Sequence, residues 1–162
     1  MDNQNFNHTR IRIPEDKRYK LVQLLNSLLA DMEDLISQSK FAHWNVRGPN
    51  FFSYHKLFED VSQPLEDTED ELAERITTLG GVAKGTIRQA AHSSSLKEIA
   101  HDNSSEEFLL SELIENYAAF ANKCRASIDS AEQMGDAVTA DMLTELTAAA
   151  DKSLWLLEAH HN

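Results

Sequence analysis

Two histidines and a group of carboxylates stand where helix patterning would put other residues. His43 lies seven residues after Ile36, two helical turns on and on the same face. His55 lies three residues before Phe58. Each falls on a stripe whose other members are apolar. From Glu59 to Glu74 there are eight acidic residues, Glu59, Asp60, Glu66, Asp67, Glu69, Asp70, Glu71 and Glu74, with no basic residue among them. Such a run is ordinarily a solvated face. At about 100° per residue, with His55 as origin, Glu59 falls at roughly 40°, Asp70 at roughly 60° and Glu74 at roughly 100°. All four share one side of a helix, close to the stripe expected to be buried. Carboxylates buried without basic partners are unfavourable unless they hold a cation. Imidazole with carboxylate suits iron, zinc or manganese better than calcium or copper(I). A single histidine on such a stripe is more simply a satisfied core residue. The alignment of His55 with Glu59, Asp70 and Glu74 is what favours a metal centre.

Spacing constrains that centre. Glu59 and Asp70 are eleven residues apart, about 16 Å of helix rise. Ligands of one ion lie about 2.0–2.2 Å from it. His55 and Glu59 therefore cannot share an ion with Asp70 and Glu74 of the same helix. Either two sites lie along the helix, or a second subunit brings Asp70 and Glu74 to His43 and His55. An antiparallel two-fold dimer would achieve the latter and create two equivalent sites.

The elements that must position these residues are helices. Glycines at 48, 80, 81, 85 and 135 and prolines at 14, 49 and 64 punctuate the chain. Setting Pro64 aside, they leave unbroken segments at 15–47, 50–79, 86–134 and 136–162. Leu21, Leu24, Leu25, Leu28, Met32, Leu35 and Ile36 recur at helical steps, and Pro14-Glu15-Asp16 suits a helix start. A second stripe runs from Phe51 through Phe58, Leu65, Leu72 and Ile76 to Leu79, where Gly80-Gly81 can cap it. Pro64 interrupts this helix, and the in-phase stripe on both sides favours one kinked helix over two. Residues 94–101 read as a short connecting helix. A third long helix starts at Ser104 or Ser105 and a fourth near Asp136. The expected fold is an all-α four-helix bundle over residues 15–162, after a tail at 1–14, with a short extra helix in the middle connection.

The composition agrees. The chain has 162 residues, 41% hydrophobic and 26% charged, a globular balance. Its formal charge of −12 argues against general binding of a phosphate backbone. One cysteine, Cys124, excludes an intramolecular disulfide and reads as a small buried residue. No apolar run is long enough for a signal peptide or a bilayer span. The expected setting is the cytoplasm.

The motif His43-Trp44-Asn45-Val46-Arg47-Gly48, followed by Phe51 or Phe52, His55, Asp70, Ala73-Glu74-Arg75 and Leu79-Gly80-Gly81, resembles the signature of the Dps mini-ferritins. Thr139-Ala140-Asp141 and Asp151-Lys152-Ser153-Leu154-Trp155 are similar too, so the resemblance spans about residues 15–160. It implies twelve subunits in a hollow shell, with di-iron ferroxidase sites between two-fold-related subunits. His43 and His55 would come from one subunit, Asp70 and Glu74 from the other. The bound metal would be Fe, with Zn²⁺ able to occupy the site. Many members carry Asp where this chain has Glu59, which bears on the second metal. Trp44 would intercept stray radicals beside the catalytic residues His43, His55, Asp70 and Glu74. Asp136 and Asp141 would line acidic three-fold pores, although an N-cap and a first-turn acid account for them equally well. Glu98 and His101 form one Glu-x-x-His tetrad, read as incidental in a connection. The terminal His160 and His161 read as a frayed end.

The resemblance implies an iron-storage and detoxification protein, a ferroxidase that oxidises Fe²⁺ with hydrogen peroxide and stores ferric mineral. The alternative is a nucleoid DNA-compacting protein acting by physical protection. Residues 1–20 carry five basic against three acidic groups, little against twelve negative charges per subunit. A metal-free helical interaction domain would leave His43, His55 and the aligned carboxylates unexplained.

Overall fold

The computed structural model describes residues 6–161. Residues 1–5 of the expected tail and Asn162 lie outside the described residues. Five helices follow in order: α1 (Glu15–Asn45), α2 (Phe51–Thr78), α3 (Ile87–Ser93), α4 (Glu106–Gln133) and α5 (Ala137–Glu158). The four long helices make the expected bundle. α1 packs against α2 and α4, and α5 against α4 and α2. The long connection carrying α3 joins the two hairpins and packs through α3 against α1. No strand is present among the described residues, and no helix is long and apolar enough to cross a membrane.

The apolar stripes meet as the periodicity requires. Leu21, Leu25, Leu28, Met32 and Leu35 of α1 are fully buried, with Phe58, Val61, Leu65 and Ile76 of α2. α4 contributes Leu109, Leu113, Tyr117, Phe120 and Cys124, and α5 contributes Leu143, Ala150 and Leu157. Burial pushes the Cys124 thiol up to about 12, with Asp31 adding to the effect, so it is an inert core residue. The helix ends use the signals read above. Ser105 accepts a hydrogen bond from the Phe108 N–H, and Asp136 from the Thr139 N–H. Gly80 takes φ of 95° just past α2, a conformation glycine adopts without strain.

Two points concern Pro64 and α3. α2 is a single helix through Pro64, the outcome the in-phase stripe favoured. The short helix, however, lies at 87–93 and not at 94–101. Thr86 and Gln89 form a capping box that starts it there. After Ser94 the backbone donors go to side chains instead of to a helical ladder. Ser95 N–H donates to Asp31, Lys97 N–H to Asn116 and Ile99 N–H to Gln38. Alternate residues are thus fixed by buried polar groups, which excludes the helical pattern.

Asp31 is the strongest of these anchors. It is completely buried on α1 and accepts from Ser95 N–H at 2.7 Å, Ser95 Oγ at 2.9 Å and Lys123 Nζ at 2.5 Å. Asp31→Ala removes the carboxylate partner of the Lys123 ammonium, which keeps the Ser27 carbonyl and Ser95 Oγ, and leaves the Ser95 N–H without its acceptor. A loss of about 2–3 kcal/mol is expected, seen as a fall of roughly 5–10 °C in apparent Tm. A wild-type melting point in this variant would contradict the anchor role.

A second carboxylate is held under different terms. Glu33 on α1 is pushed up to about 7 by burial, by a hydrogen bond with Glu69 of α2 and by that residue's charge, against the opposing pull of Lys40. A carboxyl whose folded pKa is raised keeps its proton while the unfolded chain loses one, so stability falls as pH rises from about 4.5 to about 7. Glu33→Gln removes that penalty. Thermal melts should show the variant gaining on wild type between pH 4 and pH 8, with the gap constant above pH 8. A gap that does not change with pH would refute the shared-proton pair.

Candidate metal centre

The turn between α1 and α2 places the two histidines face to face. α1 ends at Asn45 and α2 begins at Phe51, so His43 occupies the last turn of one helix and His55 the second turn of the next. The turn is pinned from α4. Glu106, the first residue of that helix, accepts from the Asn50 N–H at 2.6 Å and from Asn50 Nδ2 at 3.3 Å. The Arg47 N–H donates to the Ser104 carbonyl at 2.8 Å. The Glu106 carboxylate occupies the space that a Cβ at residue 48 would need, which accounts for Gly48.

The imidazoles stack, with centroids 3.7 Å apart and planes 23° from parallel. Each reaches the other's backbone. His43 Nδ1 lies 2.7 Å from the His55 carbonyl and His55 Nδ1 lies 2.8 Å from the His43 carbonyl. A carbonyl only accepts, so each Nδ1 carries a proton, and in the neutral ring the lone pair then lies on Nε2. That is the tautomer a metal ligand needs, set by outer hydrogen bonds. The His43 carbonyl belongs to the last turn of α1, where it lacks a helical partner. Satisfying it and orienting His55 are therefore one interaction. Phe51, one turn before His55, stacks on it at 5.1 Å. The i, i+4 spacing is the sequence signal for that contact.

Beside the pair lies a cleft of about 220 Å³ lined in part by His43, Trp44, Glu59, Ser62 and Glu66. Trp44 is 71% exposed, so it packs little within its own chain. Lys40 reaches Glu66 at 3.3 Å, and Ser62 Oγ donates to Glu66 at 3.1 Å. These three residues carried no signal in the sequence reading beyond the acidic run.

Glu59 lies close enough for both imidazoles to act on its charge. Its first partner is Lys56, at 2.9 Å, which holds the carboxyl below its ordinary range. The expectation of buried, unpartnered carboxylates is therefore corrected for the single subunit. Glu59, Asp70 and Glu74 are all exposed on α2, and Glu59 has a basic neighbour from just before the run. Their helical phase brings them near the buried stripe but not under it. Among the described residues, no three His, Cys, Asp or Glu side chains of one chain converge on a single metal position. The structure thus brings together His43 and His55, with Glu59 beside them. It leaves Asp70 and Glu74 farther along α2.

The other candidates separate. Asp136 is 3% exposed. Both its oxygens accept from Arg75 Nη2 at 2.8 Å, and it also accepts from the hydroxyl and N–H of Thr139. Burial alone would raise this carboxyl, but the Thr139 and Arg75 hydrogen bonds outweigh it and lower its pKa. Its carboxylate is engaged in joining α5 to the end of α2. Asp141 is exposed on α5. Glu98 and His101 sit exposed in the non-helical connection. His160 Nδ1 lies 2.7 Å from the Leu156 carbonyl and Tyr54 donates to the His160 carbonyl, while the side chains of His160 and His161 are exposed.

Comparison with known proteins completes the picture. Residues 22–162 match the ferritin-like domain family. A DNA protection during starvation protein from Agrobacterium fabrum is 37% identical, with 94% of each chain covered. Among solved structures, an archaeal Dps homologue from Halobacterium salinarum superposes with a TM-score of 0.91 at 26% identity, covering 100% of this chain and 90% of that one. A Dps protein from Vibrio cholerae, described as a member of the ferritin-like diiron-carboxylate superfamily, superposes at 0.86 with 26% identity and 98% of each chain covered. A matching helical bundle, a family match over most of its length and a close relative at 37% identity together establish that this chain belongs to the Dps family of ferritin-like proteins.

Proposed function

We propose that the protein is a ferroxidase and iron store, with each oxidation site shared between two subunits. The observation that carries this reading is the reciprocal clasp of His43 and His55, which presents two Nε2 lone pairs at an otherwise incomplete ligand set. In a two-fold dimer, His43, His55 and Glu59 of one subunit meet Asp70 and Glu74 of the other. Twelve subunits close into a shell around the mineral. Membership of the Dps family supports this assembly.

The chemistry follows from the ligand set. Neutral imidazoles and carboxylates bind Fe²⁺ as substrate and favour the harder Fe³⁺ product. Two ions held together supply both electrons that hydrogen peroxide requires. The balance is two Fe²⁺, one H₂O₂ and two H₂O giving two FeOOH and four H⁺. Pairing the electrons avoids the one-electron step that releases hydroxyl radical. Trp44, exposed beside His43, is placed to be oxidised in place of more distant groups if a radical escapes. The protein's own work is positioning. It fixes the imidazole tautomers, and the exposed carboxylates await a partner.

DNA compaction is the second reading, favoured by the name of the Agrobacterium relative. Three observations oppose it. The formal charge is −12 per subunit. Arg18, one of the few bases near the N-terminus, is 7% exposed and donates to the Leu79 carbonyl at 2.9 Å. Phe6 and Ile13 pack against the bundle, with Arg18 over the Phe6 ring and the Asn7 N–H donating to the Gly80 carbonyl, although Arg10 and Arg12 are exposed. Electrophoretic mobility of duplex DNA should be unchanged by the protein at physiological salt. A shift that survives there would reinstate the DNA reading.

The shared site has its own test. His43→Ala/His55→Ala chains and Asp70→Ala/Glu74→Ala chains should each lose peroxide-driven iron oxidation by at least about 10–100-fold. Co-assembled at equal ratio, half the dimers are mixed, and each mixed dimer holds one intact site and one lacking all four ligands. About a quarter of wild-type activity should return. Mixed shells of verified composition that stay inactive would reject sharing.

A further inference from the structure

α2 carries ligands for both halves of the proposed centre, and Pro64 interrupts the hydrogen-bond ladder of the helix between them. His55 and Glu59 precede Pro64; Asp70 and Glu74 follow it. Under the shared-site reading, on which this inference rests, every site joins the first half of one α2 to the second half of its two-fold mate. Any change of bend at Pro64 displaces the two halves relative to each other in both sites at once. Pro64 has no N–H for the Asp60 carbonyl, and its ring crowds that turn. Left alone, this is the softest point of the helix.

The turn beside this break is held from inside the bundle. The Val61 carbonyl, in the turn that leads into Pro64, accepts from Tyr117 Oη of α4 at 3.0 Å and from Ser153 Oγ of α5 at 3.0 Å. Tyr117 and Val61 are fully buried and Ser153 is 1% exposed. Tyr117 Oη also lies 3.1 Å from Ser39 Oγ of α1, which itself reaches the Leu35 carbonyl at 2.8 Å. Two hydroxyl protons serve these three contacts of Ser39 and Tyr117, so with Tyr117 donating to Val61, Ser39 donates either to Leu35 or to Tyr117. The chain of hydroxyls touches all four long helices at one level. On the far side of the break, Thr68 Oγ1 lies 3.1 Å from both the Pro64 and Leu65 carbonyls. Hydrophobic packing alone would accept Phe at 117 and Ala at 153. The hydroxyls add direction, fixing one backbone carbonyl of α2 against two other helices.

We infer that Tyr117 and Ser153 are positioning residues for the metal centre, clamping α2 at its proline so that the His55–Glu59 and Asp70–Glu74 halves meet across the dimer. Neither side chain touches metal or oxidant.

The test uses Co²⁺ as a probe on the assembled protein. Tyr117→Phe/Ser153→Ala keeps the ring and the packing volume. It should retain helical circular dichroism and the sedimentation of wild-type shells. Its Co²⁺ affinity should fall about tenfold, the visible Co²⁺ bands should change shape, and the iron concentration at half-maximal oxidation should rise. Leu143→Ala, a buried truncation on α5 away from the clamp, should lower the melting temperature and leave the Co²⁺ bands unchanged. Wild-type affinity and bands in the double variant would overturn the inference. Altered bands in Leu143→Ala as well would overturn it too, by making the effect general destabilisation. If the double variant does not assemble, Ser153→Ala alone decides by the same readouts. Wild-type protein whose Co²⁺ uptake is insensitive to His43→Ala would instead overturn the shared-site reading, and the inference with it.

Discussion

A helix cannot fold back on itself, and that constraint governs the function of this chain. Eleven residues separate Glu59 from Asp70, about 16 Å along one rigid element. Side chains from the two ends cannot close on a common ion. Under the proposed reading, the subunit presents half of a coordination set at each end of α2, and the two halves have opposite character. One is a clasped pair of imidazoles, ordered by backbone carbonyls before any metal arrives. The other is a pair of exposed carboxylates, Asp70 and Glu74, one turn apart. The ordered half gives geometry; the acidic half gives charge. In the proposed two-fold dimer, symmetry does what flexibility would otherwise have to do.

The polar groups inside the bundle have a corresponding task. Leucine and alanine stripes specify that four helices pack, but their ridges accept small slips along the axis. Buried hydrogen-bonding side chains do not. Asp31, Gln38 and Asn116 capture alternate backbone donors of the connection and fix where it crosses α1. Arg75 ties the end of α2 to the start of α5 through Asp136. Glu106 pins the turn that carries both histidines. No described residue leaves a buried side-chain polar atom without a partner. Each of these contacts joins elements far apart in sequence, and each is directional, so together they select one register from the several that apolar packing permits.

That division explains what could be read in advance. Periodicity located all four long helices, because an amphipathic stripe is local information. Ser105 and Asp136 marked their helix starts for the same reason. The short helix was misplaced because its competitor was not local. Residues 94–101 have helical composition, but Asp31, Gln38 and Asn116 take their donors from α1 and α4. The Thr86/Gln89 capping box was present in the sequence and carried the correct start.

The site divided along the same line. His43 and His55 stood out because they interrupt apolar stripes, and the fold sets them face to face. The carboxylates were read as nearer the core than they are, since a helical wheel gives angle but not the height of the surrounding surface. Lys56, one turn before Glu59, belonged in that reading and changes its electrostatics. Asp136 shows the reverse case. As an acid at a helix start it fits a pore or a cap; the fold shows the cap and adds a partner, Arg75, sixty-one residues away. Within the single subunit the Asp136 carboxylate is held by guanidinium and hydroxyl inside the bundle, whereas Asp141 keeps its side chain at the surface.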